Sequence, residues 1–140
     1  MDELVVVLGA HELEVDARTV RCPQWERGPG ASLRCGLASL GPEIEAAVVV
    51  LADGPDLSPV AIDRVIAAWR TVGGDVVAAS YAGARGHPVL LARAAWAAVP
   101  EEGARALEPV LVPCDDLGHP GDVDMPDDLP RRFRRTQAER

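Results

Sequence analysis

The stretch VVVLADGPDLSP, residues 48–59, decides the fold class, because in it a continuous apolar run ends on a carboxylate. Val48 to Leu51 have the β-branching typical of a short strand buried on both faces. Asp53 follows almost at once, with a Gly-Pro pair behind it. These residue types favour a simple turn, whereas the carboxyl end of a parallel strand is where open α/β folds bind ligands. The rest of the chain has to decide between the two interpretations.

Strand-like and helix-like patterns alternate on both sides of this stretch. In the helix predicted after it, Ser58 is the N-cap, Pro59 takes the first position and Gly73-Gly74 end the pattern. The alternation indicates an α/β fold with a mostly parallel sheet. The opening strand is predicted over 47–51 and the other strands over 4–8, 76–80, 88–91 and 110–112; the other predicted helices are 32–40 and 93–99.

The composition indicates a single cytoplasmic domain. No apolar run approaches the ~20 residues needed to span a bilayer, and the first residues lack the basic start of a signal peptide. A net charge of −8 argues against a nucleic-acid partner, which needs a basic face. Residues 131–140 carry five arginines and one glutamate. This basic tail, after a domain spanning 1–130, is interpreted as solvated rather than as a contact for RNA or an acidic partner.

The three cysteines predict neither a disulfide framework nor a zinc site. Cys22, Cys35 and Cys114 are odd in number, far apart and without a C-x-x-C pair. We therefore expect buried or incidental thiols.

Carboxylates gather in two predicted loops. Asp53 lies in the first, and the second, 115–129, holds six aspartates. Oxygen ligands from two loops suit a hard cation such as Mg²⁺, and a simple acidic loop is the alternative for 115–129. Asp53 is the stronger candidate, because a charge at the end of a buried strand is costly unless something pairs with it.

Two glycine-containing segments are further candidates for binding. The segment RGPGASLRCGLASL, 27–40, joins a glycine-rich turn to a helix N-terminus, where free N–H groups favour an anion. The segment YAGARGH, 81–87, lies between two predicted strands and places Arg and His beside glycine. It is either a hairpin turn or a loop that binds an acceptor.

These segments together resemble the MobA-like NTP transferases, most closely the molybdenum-cofactor cytidylyltransferase-like branch. The resemblance covers about residues 4–129. It implies a Rossmann-like sheet of the GT-A-like nucleotide-diphospho-sugar transferase type, and transfer of CMP or GMP from CTP or GTP to a molybdopterin-type acceptor with Mg²⁺. The motifs, which follow one another along the chain as in the family, are ASLRCGL (31–37), LADGP (51–55), GARGHPVLL (83–91), EEGARAL (101–107) and DVDMPDDL (122–129).

The resemblance also implies roles for individual residues, which form three groups. The metal ligands are Asp53, which is also the catalytic residue, and Asp124; the nucleotide-binding residues are Ser32, Arg34 and Gly36; the acceptor-binding residues are Arg85, Gly86 and His87.

One departure from the family pattern concerns the phosphate-binding loop. Family members open with a first strand and a glycine-rich loop that supplies a lysine, whereas this chain contains no lysine. We therefore expect an N-terminally truncated domain in which 4–8 pairs directly with 47–51 to close the gap. Three possibilities stay open: a truncated enzyme, a non-catalytic remnant that binds a nucleotide, pterin or protein, and a subunit completed by a partner chain that supplies the loop.

Overall fold

The computed structural model describes residues 5–8, 18–51 and 57–118 of the chain. Within these ranges, strands and helices follow one another as an α/β fold requires. The strands are β1 (Val5–Leu8), β2 (Arg18–Arg21), β3 (Ala46–Val49), β4 (Val76–Tyr81), β5 (Ala84–Ala92) and β6 (Val110–Pro113). The α-helices are α1 (Pro29–Ala38), α2 (Pro59–Val72) and α3 (Arg93–Trp96), and short 3₁₀ turns cover Trp25–Arg27, Ala104–Ala106 and Asp115–Leu117.

The described strands form two sheets. In the first sheet β1 and β2 are parallel, with Val5 opposite Arg18 and Leu8 opposite Arg21. The second sheet has the order β3-β5-β4-β6, and every residue of β4 is buried. Only Ala82 and Gly83 separate β4 from β5, and so short a connection joins neighbouring strands only when they are antiparallel. The α/β class is therefore confirmed, and the second sheet contains an antiparallel hairpin.

The predicted pairing of residues 4–8 with 47–51 is wrong for the described strands. β1 pairs with β2, and β3 pairs with β5. The strand β2 was not predicted, because only Val20 of its four residues is apolar and the strand is mostly exposed. A weakly hydrophobic segment thus supplies the parallel partner that we expected from residues 47–51.

The helix α2 confirms its sequence signals. Ser58 Oγ accepts a hydrogen bond from the Val60 N–H at 3.2 Å, and Pro59 takes the first position. Gly73, at a φ of 83°, ends the helix by donating its N–H to the Trp69 carbonyl. The other two helices differ in their bounds: α1 begins at Pro29, before the predicted Ser32, and α3 ends at Trp96, before the predicted residue 99.

The described residues fall into two compact units, each with its own buried side chains. In the first unit these include Cys22, Ala31, Leu37, Leu91 and Val99; in the second they include Val65, Val77, Val89, Leu90 and Cys114. Among the described helices, none has the length and apolar character to cross a membrane. The first unit comprises 5–8, 18–47, 74–76 and 91–110, and the second comprises 48–51, 57–73, 77–90 and 111–118.

Candidate functional site

The predicted metal ligands lie outside the described residues. Asp53 falls in 52–56 and Asp124 in 119–140, so their geometry adds nothing to the sequence prediction. Within 5–8, 18–51 and 57–118, no group of three or more His, Cys, Asp or Glu side chains is arranged to hold a metal ion. The described part of the site consists of the nucleotide-binding and acceptor-binding candidates.

The N-terminus of α1 packs on the backbone of residues 100–101 rather than facing an open site. The Gly30 N–H donates to the Glu101 carbonyl oxygen at 2.9 Å. A Cβ atom on residue 30 would lie 1.6 Å from the Pro100 carbonyl oxygen, so only glycine fits there. Among the N–H groups at this helix N-terminus, that of Gly30 is therefore not free for an anion, because the Glu101 carbonyl oxygen already accepts its hydrogen bond.

Arg34 is held by the main chain. Its Nη1 donates to the Val99 carbonyl oxygen at 2.7 Å, and the contact is partly buried. Arg93 behaves similarly: its Nη1 donates to the carbonyl oxygens of Gly41, at 3.0 Å, and Ile44, at 2.6 Å. Both arginines line a groove of about 260 Å³, in which the Arg93 guanidinium stacks 4.5 Å from the centre of the Trp96 ring. In the described residues, Arg34 thus fastens α1 to the segment before Pro100.

Ser32 and Gly36 differ in what they contact. A Cβ atom on Gly36 would come within 2.7 Å of a methyl group of Val7, so this glycine allows α1 to pack closely on β1. The half-buried Ser32 hydroxyl, by contrast, has no hydrogen bond to a residue in the part of the chain described. Of the three predicted nucleotide-binding residues, Ser32 is the one whose polar group the described residues leave available.

A disulfide bond joins Cys22, directly after β2, to Cys35 in α1, with their Cα atoms 5.8 Å apart. The prediction of thiols is wrong for this pair. Spacing along the chain could not reveal the bond, because the fold brings together residues 13 positions apart. Cys114 remains a buried free thiol, as predicted.

The predicted loop at residues 81–87 is a tight turn followed by a strand. Ala82, at a φ of 53°, and Gly83, at a φ of 82°, form the whole connection, and two positive φ values are what a type I′ hairpin turn requires. Arg85, Gly86 and His87 therefore lie in β5, not in a loop. The hairpin interpretation of this segment is confirmed, and it places the acceptor-binding candidates on a regular strand.

Tyr81 determines the surroundings of these strand residues. Its ring carbons would lie 2.9 Å from a Cβ atom on Gly86, and its hydroxyl donates to the His87 carbonyl oxygen at 2.7 Å. Burial raises the pKa of the Tyr81 phenol, and the nearby Cys114 raises it further. Gly86 thus makes room for the ring, a role that motif reading could not find because Tyr81 lies outside the motif.

The first two carboxylates of the acidic segment, those of Asp115 and Asp116, bind other groups of the protein. Arg64 of α2 binds Asp116 through Nη1–Oδ1 at 2.6 Å and Nη2–Oδ2 at 2.7 Å. This hydrogen bonding lowers the pKa of the Asp116 carboxyl group and raises the pKa of the Arg64 guanidinium. Asp115 accepts a hydrogen bond from the Ala82 N–H. These two aspartates therefore stabilise the fold, and the other aspartates of 115–129 lie outside the described residues.

Comparison with known proteins provides a family and three related structures. The MobA-like NTP transferase domain matches residues 1–115. No curated protein shows significant similarity to the chain.

Each of the three structures covers 91% of this chain. A homologue of Mycobacterium tuberculosis Rv0371c from Mycobacterium sp. strain JC1 has a TM-score of 0.71 at 26% identity, and 71% of its length is covered. Rv0371c from Mycobacterium tuberculosis H37Rv has a TM-score of 0.70 at 25% identity, with 73% covered. Its complex with manganese has a TM-score of 0.67 at 24% identity, with 75% covered, and supports the fold alone.

The family match includes both glycine-containing segments and extends to the start of the acidic segment. It contains the α1 helix with Ser32 and the hairpin strand with Arg85 and His87. The order of elements and the sequence motifs thus lead to one assignment, and the chain belongs to the MobA-like NTP transferase family.

Proposed function

We propose that the protein transfers CMP or GMP from CTP or GTP to a molybdopterin-type acceptor. The observation that carries the proposal is the family match across residues 1–115, which makes the chain a nucleotidyltransferase-family protein. In the reaction, a phosphate oxygen of the acceptor forms a bond to the α-phosphorus of the nucleotide. The bond from that phosphorus to the pyrophosphate oxygen breaks, and pyrophosphate leaves.

In this proposal the described residues position the two substrates and form no covalent bond with them. In such a transfer the protein mainly aligns two anionic groups and balances their charge. The Ser32 hydroxyl is proposed to donate a hydrogen bond to the nucleotide. Arg34 and Gly36 act through the helix, because their contacts with Val99 and Val7 hold α1 in place.

The acceptor is proposed to bind along the first residues of β5. Arg85 and His87 lie just after the two-residue turn, on a strand whose later part is buried. A strand fixes side-chain positions more precisely than a loop does. Arg85 would provide positive charge for the acceptor's phosphate, while Gly86 keeps the Tyr81 ring in place.

The metal assignment rests on the resemblance. Asp53 and Asp124 are the proposed ligands of Mg²⁺, which when bound would offset the negative charge of the nucleotide phosphates. Rv0371c has been solved in complex with manganese, which favours a divalent cation in related folds.

A second candidate is a binding module of the same fold that does not catalyse transfer alone. The chain contains no lysine, whereas the family's glycine-rich loop supplies one by the resemblance. Such a module would bind the nucleotide and act only with a partner chain that provides the loop.

The experiment incubates the purified chain with molybdopterin, Mg²⁺ and either CTP or GTP. Pyrophosphate release and the mass of the nucleotide adduct are measured together, and nucleotide affinity is measured by calorimetry. We expect an adduct that Asp53→Asn reduces by about a hundredfold or more. The matched control is Asp63→Asn, since Asp63 is an exposed carboxylate of α2.

Nucleotide binding without transfer would support the second candidate, a binding module that does not catalyse transfer alone. Absence of binding by either nucleotide would contradict both candidates. An adduct that forms equally well with Asp53→Asn would remove Asp53 from the reaction.

A further inference from the structure

The Cys22–Cys35 bond fastens the helix that carries the proposed nucleotide ligand. Cys35 lies three residues after Ser32 and directly between Arg34 and Gly36. Cys22 directly follows β2, so the bond connects the end of the first sheet to the second turn of α1. The bond therefore restricts movement of α1 relative to residue 22, and with it movement of the Ser32 hydroxyl that α1 carries.

The two cysteine residues differ in their exposure to solvent. Cys22 is 0% exposed, whereas Cys35 is only half-buried. Of the two, Cys35 is therefore the residue at which we expect an external thiolate to attack, with the Cys22 sulfur as the leaving group. Such exchange depends on which sulfur can be reached. The difference in exposure thus favours attack at Cys35 over attack at Cys22.

The remaining contacts of α1 are of two kinds. On one side, the Gly30 N–H and the Arg34 guanidinium are bonded to Glu101 and Val99. The segment before α1 is held more weakly, because the Arg27–Glu101 ion pair is 62% and 48% exposed and exposed pairs contribute little. Besides the peptide bond from Gly28 to Pro29, the disulfide is thus the covalent link between residues 22–28 and α1.

We propose that Cys22 and Cys35 form a reversible thiol–disulfide switch that sets the order of α1. This inference rests on the proposed function for its consequence, which is that the bonded form binds the nucleotide more tightly. Two molecules of a small thiol such as glutathione open the bond: the first forms a mixed disulfide with Cys35 and releases the Cys22 thiol. The second releases the Cys35 thiol, so two cysteine thiols and one oxidised glutathione result. Oxidised glutathione closes the bond by the reverse steps.

The first measurement concerns the bond itself. The full chain is equilibrated at graded ratios of reduced to oxidised glutathione, the free thiols are alkylated, and the peptides are identified by mass. We expect residues 22 and 35 to change together while Cys114 stays reduced. Hydrogen exchange of residues 31–36 should be slow in the bonded form and faster in the reduced form, and Cys35→Ser should exchange like the reduced form under both conditions.

The second measurement concerns binding of CTP and GTP. We expect reduction to weaken the affinity by about three- to tenfold, because a less ordered site loses binding energy in ordering. Cys114→Ala should keep this difference, and Cys35→Ser should abolish it. Because Cys22 is buried, the double variant Cys22→Ala/Cys35→Ala serves as the second test if a single variant does not fold.

Failure of the bond to form at any glutathione ratio would overturn the inference. So would equal exchange of residues 31–36 in the two forms, or equal nucleotide affinity in the two forms. Absence of nucleotide binding in both forms would contradict the proposed function instead, and the exchange of α1 would then decide alone whether the switch exists.

Discussion

Gly30 and Pro100 lie so close that a Cβ atom on residue 30 would stand 1.6 Å from the Pro100 carbonyl oxygen. The close approach is what lets the Gly30 N–H donate to the Glu101 carbonyl oxygen. A backbone oxygen has no side-chain rotation with which to move away. The contact therefore fixes the residue type at position 30 more strictly than helix propensity does.

The first prediction is that Gly30→Ala lowers the free energy of unfolding by about 1–3 kcal/mol, as overpacking does. Urea denaturation measures the change. Gly36→Ala is the comparison: its Cβ would meet a Val7 methyl group at 2.7 Å, so we expect a loss, but a smaller one, because the obstacle is a side chain rather than the backbone and alanine favours the helix by about 1 kcal/mol. Equal losses for the two variants would contradict the close approach at Gly30.

The second prediction concerns the single tyrosine of the chain. Because burial raises the pKa of Tyr81, its ultraviolet absorbance should titrate with a midpoint above the usual value of about 10, and urea should bring it back there. The folded state favours the neutral phenol, so this stabilisation is present below the unfolded pKa and is lost as the pH rises through the folded pKa. Cys114→Ala should lower the midpoint, and an unshifted midpoint in the native protein would refute the burial of the phenol.

The third prediction concerns the pH dependence of the Arg64–Asp116 pair. The pKa of Asp116 is lowered in the folded state, so the pair stabilises the protein above the unfolded pKa of about 3.9, and this is lost as the pH falls through the folded pKa. A double-mutant cycle of Arg64→Gln and Asp116→Asn should show coupling at neutral pH and none in strong acid. Arg70→Gln, an exposed arginine on the same helix, should show no coupling with Asp116→Asn. Coupling that persists unchanged in acid would contradict the ion pair.

The fourth prediction concerns the two aspartates outside the described residues. If Asp53 and Asp124 share one cation, Asp53→Asn and Asp124→Asn should each weaken Mn²⁺ binding by at least about tenfold. Mutation of a residue that only hydrogen-bonds to a metal ligand already causes a loss of this size. Electron paramagnetic resonance of free Mn²⁺ measures this. The chain should bind one Mn²⁺ that each single variant weakens and that the double variant weakens further, whereas Asp63→Asn should bind it normally. Two Mn²⁺ ions per chain, each weakened by only one of the two variants, would indicate separate sites.

The helix α2 could be predicted because each of its signals is local. Ser58 supplies its own cap, Pro59 fits the first position, and Gly73 adopts the positive φ that ends the helix. The strand β2 could not be predicted, because its place in a sheet depends on β1 rather than on its own single apolar residue, Val20.

The candidate site shows the same limit. The sequence motifs located α1 and β5, yet the roles of Gly36 and Gly86 depend on Val7 and Tyr81, which lie outside those motifs. The disulfide is another case, since one odd set of three cysteines allows several pairings and only the fold selects Cys22 with Cys35. Sequence patterns predict where helices and strands lie. The role of a single residue follows from the contacts that it makes with other elements of the fold.

The order β3-β5-β4-β6 has a consequence for synthesis on the ribosome. Strand β3 ends at Val49, but its neighbour β5 does not begin until Ala84. At ~5–20 residues per second, roughly two to seven seconds pass between the synthesis of β3 and the start of its partner β5. Strand β4 is translated before β5. If β4 paired with β3 during that interval, it would occupy the position beside β3 that β5 takes in the β4–β5 hairpin. The growing chain therefore holds the apolar strand β3 without its native neighbour until the hairpin has emerged.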